Sequence, residues 1–525
     1  MKKAMKKLMA ALLAVAMVCA MAIPAFAAGG TNTLTINGTT EGHTYEAYQV
    51  FTGTLNESTL SDIAWGNGVD GDGILADLPD SLKPASTAAE LAANLTKETI
   101  TADDIDAFAK VVGNHIKTAY KHESTASGKT YTITGLPDGY YFVKDATGDM
   151  PAGATYSRYM LSIVKSLSIT AKDTTVTLDK QIKHNETDKW GIVGDNQIGD
   201  TVEFRTITTV PNVKGYDTYT YEIHDTMSSE LTSNVKAIDD ITIKVNDSTE
   251  LPKSYYTVSA DGNSFTVYVK ILEAVANKEI SAGDSLYTYY SGVLNETAKM
   301  STEGPQQNEA YLKYSNNPND TSVGETVHKT VYDWTFQIDV TKVDGTTPDK
   351  KLEGAVFVLS KFAGLDLKPE DNGTPTEHTD DLIKLVKKSD GVYTVADAST
   401  STTYTMTTPS NGQISIKGLD DDTTYYLYET KAPSGYNSLT GPVTFKIATR
   451  TNDNYSDTGV TINEQPTVTV NGAPTSGTAF NVENNAGTTL PGTGGIGTTI
   501  FYVVGGGLMV AAAILLITKK RMENR

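Results

Sequence analysis

Along most of the chain, apolar and polar residues alternate in short runs. Tyr131-Thr132-Ile133-Thr134, Ser264-Phe265-Thr266-Val267-Tyr268 and Val443-Thr444-Phe445-Lys446-Ile447 are examples, set between stretches rich in Gly, Asp, Asn and Pro. Period-two alternation in β-branched and aromatic residues predicts half-buried strands. Two segments depart from it. Thr87–Leu95 and Thr101–Tyr120 read as helices, the second with Ile105, Phe108, Val111, Val112 and Ile116 at helical spacing. Short, evenly spaced strands with turn punctuation predict a mainly β protein of tandem immunoglobulin-like β-sandwiches, with a few helices in the N-terminal domain. Polar, turn-rich sequence near 172–176 and 320–332 separates three blocks, 28–172, 173–319 and 320–489. Each is long enough to bury its own core.

Strand parity then singles out polar residues on apolar faces. In the run Ile338, Val340, Lys342, alternation puts the lysine on the side of the two aliphatic residues. Glu429 shares the parity of Tyr425 and Leu427, and Asn484 that of Phe480 and Val482. The second block repeats the order: Lys180 follows Val176 and Leu178, Asp225 follows Tyr219, Tyr221 and Ile223, and Asn316 follows Leu312 and Tyr314. A charged group on a buried face is costly without a partner, and a buried, unpaired lysine tends to lose its proton. A neutral amine is a nucleophile, and an adjacent acid that protonates an amide oxygen makes that amide a better electrophile. The first block opens with Thr33-Leu34-Thr35-Ile36 and no lysine, so no such set is expected there.

Charge and the chain ends change the picture of where this chemistry takes place. With 63 acidic against 43 basic side chains, the formal net charge is −20. A nucleic-acid binder would need the opposite balance. The single cysteine, Cys19, precludes a disulfide framework or a cysteine metal site. It falls within residues 1–27, which read as a secretory signal: Lys2, Lys3, Lys6 and Lys7, an apolar stretch from Leu8 to Ala25, and an Ala25-Phe26-Ala27 cleavage site. At the other end Leu490-Pro491-Gly492-Thr493-Gly494 precedes the uncharged run Ile496 to Thr518 and then Lys519-Lys520-Arg521. That run is long enough to span a bilayer core of ~30 Å, with the basic tail held in the cytoplasm. Motif, span and basic tail in this order resemble the cell-wall sorting signal of Gram-positive surface proteins. The resemblance implies that a sortase cleaves between Thr493 and Gly494 and transfers Thr493 to an amine.

Over nearly its whole length the sequence resembles a sortase-assembled backbone pilin of Gram-positive bacteria. The likeness is carried by Asp225-Thr226-Met227, by Tyr314-Ser315-Asn316-Asn317-Pro318, by the YYLYETKAPSGY stretch from Tyr425 to Tyr436, and by the sorting signal. It implies collagen-binding-protein B/A-type sandwiches, the third block being of the B type. It also implies spontaneous lysine–asparagine isopeptide bonds: Lys180 to Asn316 promoted by Asp225, with Asn317 and Asn308 as neighbouring alternatives, and Lys342 to Asn484 promoted by Glu429. Lys172, in Ile169-Thr170-Ala171-Lys172, takes the place of the lysine that accepts the next subunit, without the family's YPK motif. The implied partners are a sortase, identical subunits, peptidoglycan, minor pilins and host surface ligands. The implied location is the cell wall or a surface pilus, and no cofactor, metal or turnover enzyme is implied.

The competing reading is a single wall-anchored or pilus-tip adhesin. A thioester adhesin needs a cysteine in the mature chain, and there is none. Asp397-Ala398-Ser399-Thr400-Ser401 spells the DxSxS of a metal-dependent adhesion site, but inside a β block. An anchored hydrolase is disfavoured: the seven histidines are scattered, and neither HExxH nor GxSxG occurs. His224 flanks Asp225 with the opposite parity and is expected to be solvated. Asp420-Asp421-Asp422 has the composition of a calcium loop and is expected to be a solvated turn.

Overall fold

The computed structural model describes residues 32–38, 40–171, 175–185, 188–318, 320–397, 402–449, 466–488 and 497–523. The leader, Lys172, the DxSxS residues after Asp397 and Leu490–Gly494 lie outside them. The described chain is mainly β, and the alternating runs pair into two-layer sandwiches.

In the first domain Asn32–Asn37 lies between Thr130–Leu136, antiparallel, and Leu167–Thr170, parallel. The facing sheet is built on Tyr45–Asn56, which pairs with Thr59–Trp65 and Gly139–Asp145. Leu34, Ile36, Tyr45, Tyr131, Ile133 and Tyr141 fill the space between the sheets. The outer face of the second sheet is covered too, because Phe108 and Val112 of a helix pack on Tyr48, Val50 and Phe142. That helix is Ala102–Asn114, opened by a capping box between Thr101 and Asp104. It stops short of the expected Tyr120; only a single 3₁₀ turn, Thr118–Tyr120, follows. Thr87 caps the other expected helix, Ala88–Leu95. Two short helices, Gly71–Ala76 and Ile271–Ala276, carry too few turns to show a periodic pattern.

The second domain faces Leu178–Lys183, Thr201–Thr209 and Ser285–Leu294 in one sheet against Tyr221–Met227, Ser264–Val269 and Gln306–Ser315 in the other. It runs past the expected end at 319. Lys329–Trp334 hydrogen-bonds to Gln306–Ser315 and, in parallel, to Val193–Asp195. Only Thr335 then separates it from Phe336–Asp344, the first strand of the third domain. This strand lies between Gln413–Leu419, antiparallel, and the last strand Ala479–Asn484, parallel. Thr424–Lys431 belongs to the opposing sheet, beside Val356–Ser360 and Val443–Ala448.

Both junctions are hydrogen-bonded. Tyr156 N–H donates to Asn316 O at 2.8 Å and Tyr314 hydroxyl to Ala154 O at 2.9 Å, tying the first domain to the second. Between the second and third, Ile198 N–H donates to Gly418 O at 3.0 Å. Gly418 has φ +86°, and a Cβ there would sit 2.4 Å from the Ile198 side chain, so this approach requires glycine. At the C-terminus Gly497–Glu523 is one helix, long and apolar enough from Ile500 onward to cross a membrane.

Candidate functional site

In the third domain parallel pairing sets Lys342 beside Val482, with Asn484 two residues on and therefore on the same face. Lys342 Nζ donates to Val482 O at 3.0 Å and touches Asn484 Oδ1. Asn484 Nδ2 donates to Glu429 Oε2 at 2.9 Å and to Asn437 O at 2.8 Å. Glu429 Oε1 stands 3.7 Å from the lysine nitrogen, and both side chains are fully buried. Leu439 N–H donates to Glu429 Oε2 at 2.9 Å, which fixes the carboxylate from its own loop. Burial pushes the Lys342 amine down to about 8, against the attraction of Glu429. A substantial neutral fraction therefore exists near neutral pH, in contact with a carboxamide whose nitrogen is already held by an acid.

The downward shift has a consequence in a variant where the amine stays free. In Asn484→Ala the folded state is expected to hold Lys342 near 8 while the unfolded chain holds it near 10.5. Between those values the unfolded state binds more protons, so stability rises with pH. Denaturant unfolding of Asn484→Ala should show a gain of no more than ~3 kcal/mol from pH 7 to 10. The gain should vanish when Lys342→Met is added; an equal gain in the double variant would assign it to other groups.

The second domain builds its set across the two sheets. Lys180 comes from Leu178–Lys183 and Asp225 from the facing Tyr221–Met227, both with fully buried side chains. Lys180 Nζ bonds Asp225 Oδ2 and the Tyr290 hydroxyl, and that hydroxyl also donates to Asp225 Oδ2. The Phe204 and Phe265 rings pack on Tyr290 and close the site to water. Burial drives the Lys180 amine down and the Asp225 carboxyl up, each outweighing the attraction between them. The pair is thereby moved toward its neutral form, amine and carboxylic acid.

Asn316 is not at this site. Asp225 stands opposite Ala310 in the Gln306–Ser315 strand, and Asn316 is six residues further along, about 20 Å at ~3.4 Å per residue. It sits at the junction with the first domain, and Asn317 is further out still. The asparagine at the right height is Asn308, opposite Met227 on the same face as Asp225. It is 1% exposed, lies beside Asp225 and Tyr290, and has no well-aligned hydrogen bond at either polar atom. Parity could not have chosen it, because 308, 310, 312, 314 and 316 all point inward; only the register of the facing strand does. Tyr290, on the inward parity of Leu286 and Leu294, had the same weak signal.

Other expectations also meet the structure here. His224 is half-buried rather than solvated: it accepts from or donates to Thr266 at 3.1 Å and stacks on Tyr311. Of the three consecutive aspartates only Asp422 is exposed, with Lys446 at 3.0 Å, whereas Asp420 and Asp421 are buried.

Residues 336–464 match the family model of the SpaA prealbumin-like fold domain, and residues 482–524 match that of the LPXTG cell wall anchor motif. This is a cell wall-anchored surface protein. No match is found among curated proteins. Among solved structures, the T6 backbone pilin of serotype M6 Streptococcus pyogenes aligns with 17% identity and a TM-score of 0.53 over 88% of this chain and 100% of that one. The major pilin SpaD of Corynebacterium diphtheriae aligns with 17% identity and a TM-score of 0.48 over 87% and 98%. The T6 pilin is described as a modular three-domain structure, and the anchored protein shares that fold.

Proposed function

We propose that this chain is the repeating shaft subunit of a covalently polymerised surface pilus, held together internally by two lysine–asparagine isopeptide bonds. The observation that carries the reading is the coexistence of the cell wall anchor motif with a buried lysine, acid and asparagine in each of the last two sandwiches. In the third domain the neutral Lys342 amine attacks Asn484 Cγ, and Glu429 takes the proton that the attacking amine loses and passes it to the amide nitrogen as it leaves. One amide C–N bond forms and one breaks, ammonia departs, and Lys342 and Asn484 end as a secondary amide. In the second domain the same exchange joins Lys180 to Asn308, with Asp225 as the proton carrier and Tyr290 holding it in place. Each acid acts once, so no turnover follows.

Polymerisation is assigned to the sorting signal at one end and to a lysine between the first two domains. A sortase holds Thr493 as an acyl-enzyme, and Lys172 of another subunit releases it. Lys172 lies between two fastened residues: Ala171 N–H donates to Asn37 O at 2.8 Å and Val176 N–H to Gly153 O at 2.7 Å. By contrast, Lys144 faces Glu46 at 3.8 Å from within a strand. Lys172→Ala in a producing strain should abolish the high-mass ladder on denaturing gels while monomer remains wall-bound through Thr493. A persisting ladder would move the linkage to another lysine, and a wild-type strain with no ladder would favour the lone adhesin.

A further inference from the structure

The two buried aspartates of the third domain do not stand alone. Asp420 and Asp421 follow the Gln413–Leu419 strand, and the contact of Gly418 with Ile198 carries them onto the end of Val193–Asp195 in the second domain. There they meet Asp195. The carboxylates of Asp195, Asp420 and Asp421 offer oxygens that all lie within 4.8 Å of one another, on side chains of residues 2%, 3% and 1% exposed. Three like charges this close and this dry repel strongly unless something positive sits among them.

One imidazole and two hydrogen-bond donors orient these acids. His184 Nε2 lies 3.3 Å from Asp195 Oδ2, Asn185 Nδ2 donates to Asp420 Oδ2 at 2.9 Å, and the Thr449 hydroxyl donates to Asp421 Oδ2. Each partner takes the Oδ2 atom. Among the described residues, Asp195 Oδ1 and Asp421 Oδ1 have no hydrogen-bond partner, although both are buried. A carboxylate held by one oxygen, with the other left unbonded in a dry pocket, is the arrangement that orienting neighbours give a metal ligand. The unmatched acceptors are a separate observation from the clustering, and both call for the same thing.

We propose that Asp195, Asp420 and Asp421 bind one divalent cation, calcium by preference, at the junction of the second and third domains. The donors are hard oxygens with no thiolate, which selects calcium or magnesium over zinc or copper. Calcium takes oxygen ligands at about 2.3–2.6 Å in a flexible shell, which suits carboxylates supplied by two separate domains, whereas magnesium asks for a tighter, near-ideal octahedron. Since one ligand belongs to one domain and two to the next, the ion fastens the junction. On a surface protein the relevant affinity is that of extracellular modules, Kd of about 10⁻⁴–10⁻³ M.

The test is equilibrium dialysis of radioactive calcium against the EDTA-stripped mature chain, together with thermal unfolding with and without calcium. One ion per chain is expected, with a Tm that rises in calcium. Asp195→Asn and Asp421→Asn, one in each domain, should each weaken binding at least tenfold and remove the rise in Tm. Asp422→Asn, which alters the exposed neighbour, should change neither. Absence of uptake by the wild-type chain up to about 10 mM calcium, above the weakest extracellular sites, would overturn the proposal in favour of a proton shared among the acids. Uptake that survives both variants would overturn it equally, by placing the ion elsewhere.

Discussion

Replacing Asn484 by alanine is expected to reduce the intact mass deficit of the mature chain from two ammonias to one and to lower the melting temperature of the third domain sharply. The bond that Asn484 makes with Lys342 closes a loop of 142 residues between the first and last strands. If such a link acts as a disulfide of that span does, it removes ~4–5 kcal/mol of unfolded-state entropy. For a domain of this size that corresponds to a loss of about 10–20 °C. Alanine also strands the buried Lys342 amine beside Glu429, which adds to the cost. Glu429→Ala should give the same mass change while leaving Asn484 in place. If each variant loses one ammonia and their combination still loses one, acid and amide serve a single bond. An Asn484→Ala chain with the wild-type mass deficit would refute the link.

In the second domain, Asn308→Ala should cancel one ammonia loss, whereas Asn316→Ala should leave the deficit at two. The contrast rests on position along one strand. Asn308 stands beside the Lys180, Asp225 and Tyr290 cluster, and Asn316 at the far end, where its carbonyl accepts from Tyr156. The Asn308→Ala domain should become cleavable by proteases at temperatures the wild type survives. Asn316→Ala should act only on the junction with the first domain. A restored ammonia in Asn316→Ala would mean that the strand register differs in solution. Tyr290→Phe should slow, without abolishing, the mass loss, since it removes a hydrogen bond to Asp225 but neither reacting group.

Much of this architecture was legible from periodicity. Alternation identified the strands of Lys180, Asp225, Lys342, Glu429 and Asn484, and placed all five side chains inward, because a strand repeats every two residues whatever surrounds it. The two helices were read to begin at Thr87 and Thr101, and both residues are their N-caps, contacts made within one turn. The end of the Thr101 helix was overestimated because apolar spacing continues to Ile116 after the chain has turned to bridge Val69.

Parity tells which face a residue occupies but not how far along the neighbouring strand it stands. That height depends on register, which only the pairing of separate strands decides. In the third domain, where the asparagine ends a short final strand paired in parallel with that of Lys342, parity and height coincide and the two side chains meet. The ten-residue Gln306–Ser315 strand and the residue after it offer two inward asparagines to Lys180. The same reason governs Asp420 and Asp421. Three consecutive aspartates in a turn carry every local signal of solvation, and nothing near them in sequence shows that Ile198 and Asp195 of another domain will cover two of them. Segment by segment, then, the chain determined its strands, caps, inward-facing residues and anchored end, because those follow from contacts within a few residues. Which inward groups meet, and which acids lose their water, was decided by the docking of sheets and domains, where partners more than a hundred residues apart are brought within bonding distance.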